Sequence, residues 1–191
     1  MQKTIEKRRK IIDAAIEIFG AAGFDAASMA DIAARAEVAK GTLYLYFESK
    51  ERLFEEVYQL CRAERLAACS VDTDGLSSTL DELCRRLRNG TRWEMAAPLK
   101  NRLVRAYLTH PVFSQNVHSV IEGLNTETID SIIRRGVEQG ELRAMPVNLL
   151  EEMYIRFGSA VYYHLDKHPE DAENEALWAQ IYASLRGCLG A

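Results

Sequence analysis

The sequence predicts an all-α protein, and three observations carry that prediction. Apolar residues recur at three- and four-residue spacing, no stretch shows the two-residue alternation of a strand, and turn-forming residues punctuate the chain at intervals that suit helices. The 191 residues, 48% hydrophobic and 27% charged, suffice for one or two compact domains with a proper core. Charges interrupt the apolar stretches and the N-terminus opens on Lys3, Lys7, Arg8, Arg9 and Lys10, so neither a membrane span nor a secretory leader is expected and a cytoplasmic location is.

Each element has its own signal. Ile5, Ile12, Ala15, Ile16 and Phe19 share a helical face, and Gly20 and Gly23 offer a stop, which predicts a first helix over residues 4–21. Ser28 with Asp31 three positions on forms a capping pattern ahead of Met29, Ile32, Ala33 and Ala36, predicting a short second helix over about 28–36. A break at Glu37 to Ala39 leads to a third short helix, Gly41 to Tyr46. A fourth begins near Ser49, with Arg52 where Glu would complete the box, and carries Leu53, Phe54, Val57 and Cys61 as far as Ala68.

Asp72-Thr73-Asp74-Gly75 is a loop of turn formers. Beyond it, Ser78 to Asp81 caps a helix to about Asn89. Pro98, Pro111, Pro146 and Pro169 stand where helices would start, positions at which a missing N–H costs nothing. Gly140 marks a stop, Asn148 opens a helix to about Leu165, and a last helix runs from near Glu170 to Leu189.

Composition excludes several classes of function. Cys61, Cys69, Cys84 and Cys188 lack a C-x-x-C pair, which argues for reduced thiols and against a zinc site or a disulfide framework. His164 and His168 stand four apart, but only Asp166 is near and Pro169 follows at once, so no metal site is expected. No phosphate loop, nucleophile elbow or dinucleotide fingerprint is present; neither catalysis nor a cofactor is expected. The formal net charge of -4 conceals an uneven distribution, since residues 1–10 hold five basic side chains against Glu6 alone.

The second and third helices, joined by a three-residue break, have the layout of a helix-turn-helix, with Ile32, Ala36, Val38, Leu43 and Phe47 as its apolar underside. Lys40, Gly41, Thr42, Tyr44, Tyr46 and Lys50 remain on the outside. A cation, a bare backbone, and hydroxyls on one short helix suit the major groove, where phosphates and base edges accept hydrogen bonds.

Ser28-Met29-Ala30-Asp31-Ile32-Ala33, then Gly41-Thr42-Leu43-Tyr44-Leu45-Tyr46-Phe47 and Lys50-Glu51-Arg52-Leu53-Phe54, resemble the DNA-binding signature of the TetR family over roughly residues 5–60. The resemblance implies nine or ten helices: a three-helix DNA-binding domain, 1–48, and a helical ligand-binding and dimerisation domain, 49–191. It further implies a homodimeric repressor, bound to a palindromic operator in double-stranded DNA and released by a small-molecule inducer. By position, Tyr46 and Lys50 would hold phosphates, Ser28 would cap its helix and touch a phosphate, and Lys40, Gly41, Thr42 and Tyr44 would lie against the groove. Two positions depart from the family pattern: Glu37, where Gly is usual and where an L-residue would be strained by about 1 kcal/mol, and Ala39, where Ser or Thr is frequent.

In the second domain, Leu80, Leu83, Leu87, Leu103, Val104, Leu108, Val120, Ile129, Ile132 and Ile133 are the expected core. Met153, Phe157, Ala160 and Val161 on one helix, with Ile181 and Leu185 on the last, are the expected dimer interface, in keeping with the family's pairing through its last two long helices. Trp93, Met95, Arg105, Tyr107, Phe113 and Tyr154 are candidate ligand contacts, with Tyr162 and Asn101 beside them, because pockets combine aromatic and flexible apolar walls with a few polar groups. A DNA binder without a small-molecule ligand, constitutive or controlled by a partner protein, is the alternative; a cavity filled by side chains would favour it.

Overall fold

The computed structural model describes residues 2–73, 75–113 and 128–191. Its helices are α1 (Gln2–Ala26), α2 (Met29–Arg35), α3 (Lys40–Tyr46), α4 (Lys50–Cys69), α5 (Thr79–Ala96), α6 (Pro98–Thr109), α7 (Ile129–Glu138), α8 (Val147–Lys167) and α9 (Glu175–Leu189), with a 3-10 helix at Pro169–Glu173. Among the described residues the only extended pairing is an isolated bridge between Leu142 and Gly190. The fold is all-α, as the periodicity requires. The chain divides into two packing units, Met1–Glu64 with Ala97–Leu124 and Arg65–Ala96 with Asn125–Ala191.

In the first unit α1 is longer than the sequence suggests, because Gly20 does not end it. A Cβ built on Gly20 would sit 2.6 Å from the carbonyl oxygen of Leu99, so the missing side chain is what lets α6 lie against α1. The break comes instead at Gly23, whose φ of 80° is open to glycine and strained for other residues. Phe19, Phe24, Phe54, Tyr58, Tyr107 and Phe113 form a continuous aromatic cluster. Phe19 meets Phe54 edge-on at 4.9 Å, and Tyr58 lies parallel to Tyr107 at 3.7 Å between ring centres. Ile5, read as part of the buried face, is exposed.

The second unit packs α5, α7, α8 and α9 around Leu83, Leu87, Ile132, Ile133, Leu150, Tyr154, Val161, Trp178 and Leu185. Of the residues expected in that core, Leu103 and Val104 are buried in the first unit instead, Leu108 is exposed, and Val120 lies outside the described residues. The Ser78 hydroxyl caps α5 by accepting from the Asp81 N–H at 3.1 Å. The Asp81 carboxyl, held down to about 2 by the Arg186 guanidinium and the Ser77 and Ser78 hydroxyls, ties α5 to α9. Expected to stop at Asn89, α5 continues to Ala96. The Asn89 amide donates to the carbonyls of Cys69 and Val71 rather than to its own backbone, and Gly90 sits 3.1 Å, at its would-be Cβ, from the Cys69 sulfur. Tertiary partners thus hold both residues within the helix.

Three prolines mark starts: Pro98 opens α6, Pro146 precedes α8 and Pro169 opens the 3-10 helix, while Pro111 falls in a turn after α6. The last predicted helix is divided at Asn174, whose side chain caps α9 by accepting from the Leu177 N–H at 3.2 Å. Glu82, buried, receives both Arg86 at 2.8 Å and Arg135 at 2.5 Å. All four thiols are free, and burial pushes those of Cys61 and Cys84 up to about 11. His164 pairs with Asp171 and His168 with Glu170. Among the described residues no helix is long and apolar enough to cross a membrane.

Gly20→Ala forces a methyl against a backbone carbonyl that cannot rotate away, so it should destabilise the protein by about 2–3 kcal/mol in urea titration. A neutral effect would mean that α1 and α6 are not in close contact at this point.

Candidate nucleic-acid interface

The layout of α2 and α3 follows from a few local choices. Ser28 Oγ accepts from the Asp31 N–H at 3.1 Å and donates to the Asp31 carboxylate at 2.6 Å, starting α2 as the capping pattern requires. The chain then turns through Glu37, whose φ of 56° is left-handed; the departure from glycine noted in the sequence is therefore a real strain. Ala39 precedes α3 with no side-chain cap. Ile32, Ala36, Leu43 and Phe47 are buried, as expected of the underside, and Val38 is half-buried.

With Leu43 and Phe47 turned inward, α3 presents Lys40, Gly41, Tyr44 and Leu45 to solvent, with Thr42 and Tyr46 half-buried beside them. A Cβ at Gly41 would meet nothing within 4 Å, and its backbone is ordinary helix. Nothing in the fold requires glycine there. Tyr46 borders a groove of about 420 Å³ with Phe47, Glu48, Arg52, Glu55, Glu56 and Gln59. The Ser49 hydroxyl caps α4 by accepting from the Arg52 N–H. The basic N-terminal residues belong to α1 itself: Arg8 pairs with Glu56 and lies over the Phe47 ring at 5.6 Å.

Lys50 has a use that the sequence does not suggest. Its ammonium donates to the carbonyls of Phe24 at 2.9 Å and Ala27 at 3.1 Å and sits 4.3 Å from the centre of the Phe24 ring. These carbonyls flank the end of α1, where cationic donors are favoured. Two of its three N–H donors are committed within the fold, which leaves one of the three for any phosphate. Ser28 likewise has its one O–H committed to Asp31. Leu45, at 85% the most exposed large apolar side chain among the described residues, is not among the outward residues that the sequence suggests. The signal was there, since buried positions 43 and 47 leave 45 opposite.

The candidate ligand contacts divide between the two units. Arg105, Tyr107 and Phe113 lie in the first, Tyr107 and Phe113 within the aromatic cluster. Trp93, Met95 and Tyr154 lie in the second, where Tyr154 donates to the Leu83 carbonyl at 3.1 Å and Met95 packs on the core; Tyr162 is buried there too. Among the described residues, the Tyr107 hydroxyl and the Asn101 amide nitrogen are buried with no hydrogen-bond partner. Of the expected dimer residues, Val161 and Leu185 are 7% and 0% exposed because they face the core of their own unit. Met153, Phe157 and Ile181 are half-buried against that core, and Ala160 is exposed. The exposed faces are set differently, with Leu149, Ile155, Ala160 and Tyr163 on α8 and Ala176, Ala179 and Ala183 on α9.

Residues 11–57 match the family model described as bacterial regulatory proteins, tetR family. Over 190 residues, 93% of this chain and 90% of the relative, the protein is 23% identical to the uncharacterized HTH-type transcriptional regulator YfiR of Bacillus subtilis. It is 28% identical over 120 residues, 61% of this chain and 62% of the relative, to IcaR of Staphylococcus aureus, a negative transcriptional regulator of the biofilm operon icaADBC. A tetR family transcription regulator structure from Shewanella sp. PV-4 superposes with a TM-score of 0.84 at 26% identity, covering 97% of this chain and 98% of that one. The transcriptional regulator FadR from Bacillus subtilis, in complex with stearoyl-CoA, shares the fold with a TM-score of 0.75 at 21% identity, over 93% and 97% of the two chains.

Lys50→Met removes two charge-assisted hydrogen bonds and should destabilise the protein by about 2 kcal/mol, while leaving the salt dependence of DNA binding unchanged. A lysine that neutralised a phosphate would instead lower the slope of log affinity against log salt by about one. Gly41→Ala should act in the opposite sense on the fold, stabilising it by about 0.5–1 kcal/mol through helix propensity, yet weaken DNA binding. A variant both more stable and fully active would show that the bare backbone serves no ligand.

Proposed function

We propose that this chain, a TetR-family transcriptional regulator, is a homodimeric repressor that places α3 of each protomer in the major groove of a palindromic operator and leaves it when a small molecule binds. The observation that carries the reading is the outer face of α3. A seven-residue helix held by Leu43 and Phe47 exposes Lys40, Gly41, Tyr44 and Leu45, for which the fold has no use, inside the segment matching the tetR family model. Tyr46 and Lys40 supply donors for phosphates, while Thr42 and Tyr44 reach base edges. Two-fold symmetry in the protein asks for two-fold symmetry in the DNA, with half-sites about one helical turn, ~10 bp, apart or a multiple of it.

Residues 1–48 read DNA in this proposal, and residues 49–191 dimerise and bind the effector. The dimer forms through the exposed faces of α8 and α9, where Ala176, Ala179 and Ala183 let a partner helix approach closely and Leu149, Ile155 and Tyr163 supply apolar area. Repression is supported by the likeness to IcaR, a negative regulator.

A small-molecule effector is supported by FadR, whose structure holds stearoyl-CoA, and by the Tyr107 hydroxyl and Asn101 amide, buried without a partner among the described residues, since such groups ordinarily find partners. The effector shifts the protein only by its differential affinity for DNA-bound and free conformations. The coupling element is α4, which contributes residues to both packing units.

Fluorescence anisotropy on duplexes tiled across the DNA upstream of the coding region tests the proposal. One palindromic tile should bind about 1000-fold or more tighter than a shuffled duplex at equal salt, and a small molecule that raises the melting temperature should release it. Binding no tighter to any tile than to the shuffle removes the local-repressor form of the reading.

A further inference from the structure

Leu45 is an anomaly on a face otherwise built from a cation, hydroxyls and bare backbone. It is 85% exposed, and its neighbour Tyr44 is 45% exposed. Isolated exposed leucines are common on protein surfaces, so exposure alone proves little. The surroundings of Leu45 add something more specific. Residues 41 and 45 are four apart on α3 and therefore lie on one face, one turn above the other. A helical side chain leans toward the N-terminus, over the preceding turn, which for Leu45 is Gly41. There the space is open: apart from its two chain neighbours and the helix's own backbone, a Cβ on Gly41 would find no atom within 4 Å, the Leu45 side chain included. The face carries an apolar notch, with leucine methyls for its wall and bare helical backbone for its floor.

On the reading that α3 enters the major groove, only one apolar group on unmodified B-DNA fits such a notch. Guanine, cytosine and adenine offer hydrogen-bonding atoms and flat ring C–H groups on their major-groove edges, whereas thymine adds a projecting 5-methyl group. We propose that Leu45 and Gly41 together read a thymine, taking its methyl between the leucine side chain and the Gly41 backbone in each half-site. Lys40 and the hydroxyls of Thr42 and Tyr44 can hydrogen-bond to O4 of a thymine but do not sense its methyl. This rests on the operator reading above and adds a base identity to it.

The test uses the full-length protein and the operator duplex found by tiling. Each symmetry-related pair of thymines is replaced in turn by deoxyuridine, which removes the methyl and nothing else. For the native protein, one pair should weaken binding by about four-fold per half-site, the worth of one buried methyl, with the other pairs near neutral. Leu45→Ala should bind the operator more weakly and lose its sensitivity at that pair. Gly41→Ala, which fills the notch from below, should lose the same sensitivity. Since residue 45 is exposed, Leu45→Ala should melt at the native temperature, which separates lost recognition from lost folding. If the uracil penalty is the same in native and Leu45→Ala proteins, or no thymine pair matters, the assignment is wrong while the regulator reading stands. A chain that binds no duplex specifically overturns both.

Discussion

The geometry of the outer face of α3 depends on the burial of Leu43 and Phe47. An isolated helix of seven residues has no stability of its own in water, because nucleation costs more than so few hydrogen bonds return. The helix α3 also lacks a side-chain cap at Ala39. Its existence and its rotation about its own axis therefore come from two apolar side chains one turn apart, both almost wholly removed from solvent. Once they are inside, the positions left outside are decided by helical periodicity, and Lys40, Gly41, Tyr44 and Leu45 follow.

Around that anchor the protein accepts local costs. Glu37 occupies a left-handed conformation between α2 and α3 where glycine would be unstrained. The end of α1 is held from outside by the Lys50 ammonium, which meets two carbonyls and an aromatic face together. Arg8 does comparable service near the start of α1, against Glu56 and Phe47. Cations that look like DNA ligands in a list of residues are, in these two cases, engaged with the fold. Lys40, by contrast, has its side chain in the open, and so does the aromatic and aliphatic pair beside it.

The second unit follows a different rule. Its core is apolar but is crossed by Glu82 between Arg86 and Arg135, and by Glu94 beside Arg65. A buried carboxylate with two guanidinium partners is costly to leave half-made, which constrains how α5 and α7 lie against one another. Both faces of α8 carry apolar residues, one of them spent on this core with Tyr154 and Val161 and the other left outside with Leu149 and Tyr163.

What the sequence determined by itself was whatever depends on neighbours in the chain. The helical period, the caps at Ser28, Ser49 and Ser78, the strained turn at Glu37 and the outward face of α3 all follow from interactions within a few residues, and the family signature lies in that same stretch. What the tertiary structure alone decided was whatever depends on a distant partner. Asn89 and Gly90 did not end α5 because Cys69 and Val71 met them; Gly20 served a close approach to Leu99 and not a stop; Lys50 turned to the end of α1; and Val161 and Leu185 turned to their own core. A residue's type and spacing set what it can do, but the loss of solvent or the gain of a hydrogen bond that selects among those uses is supplied by atoms tens of residues away.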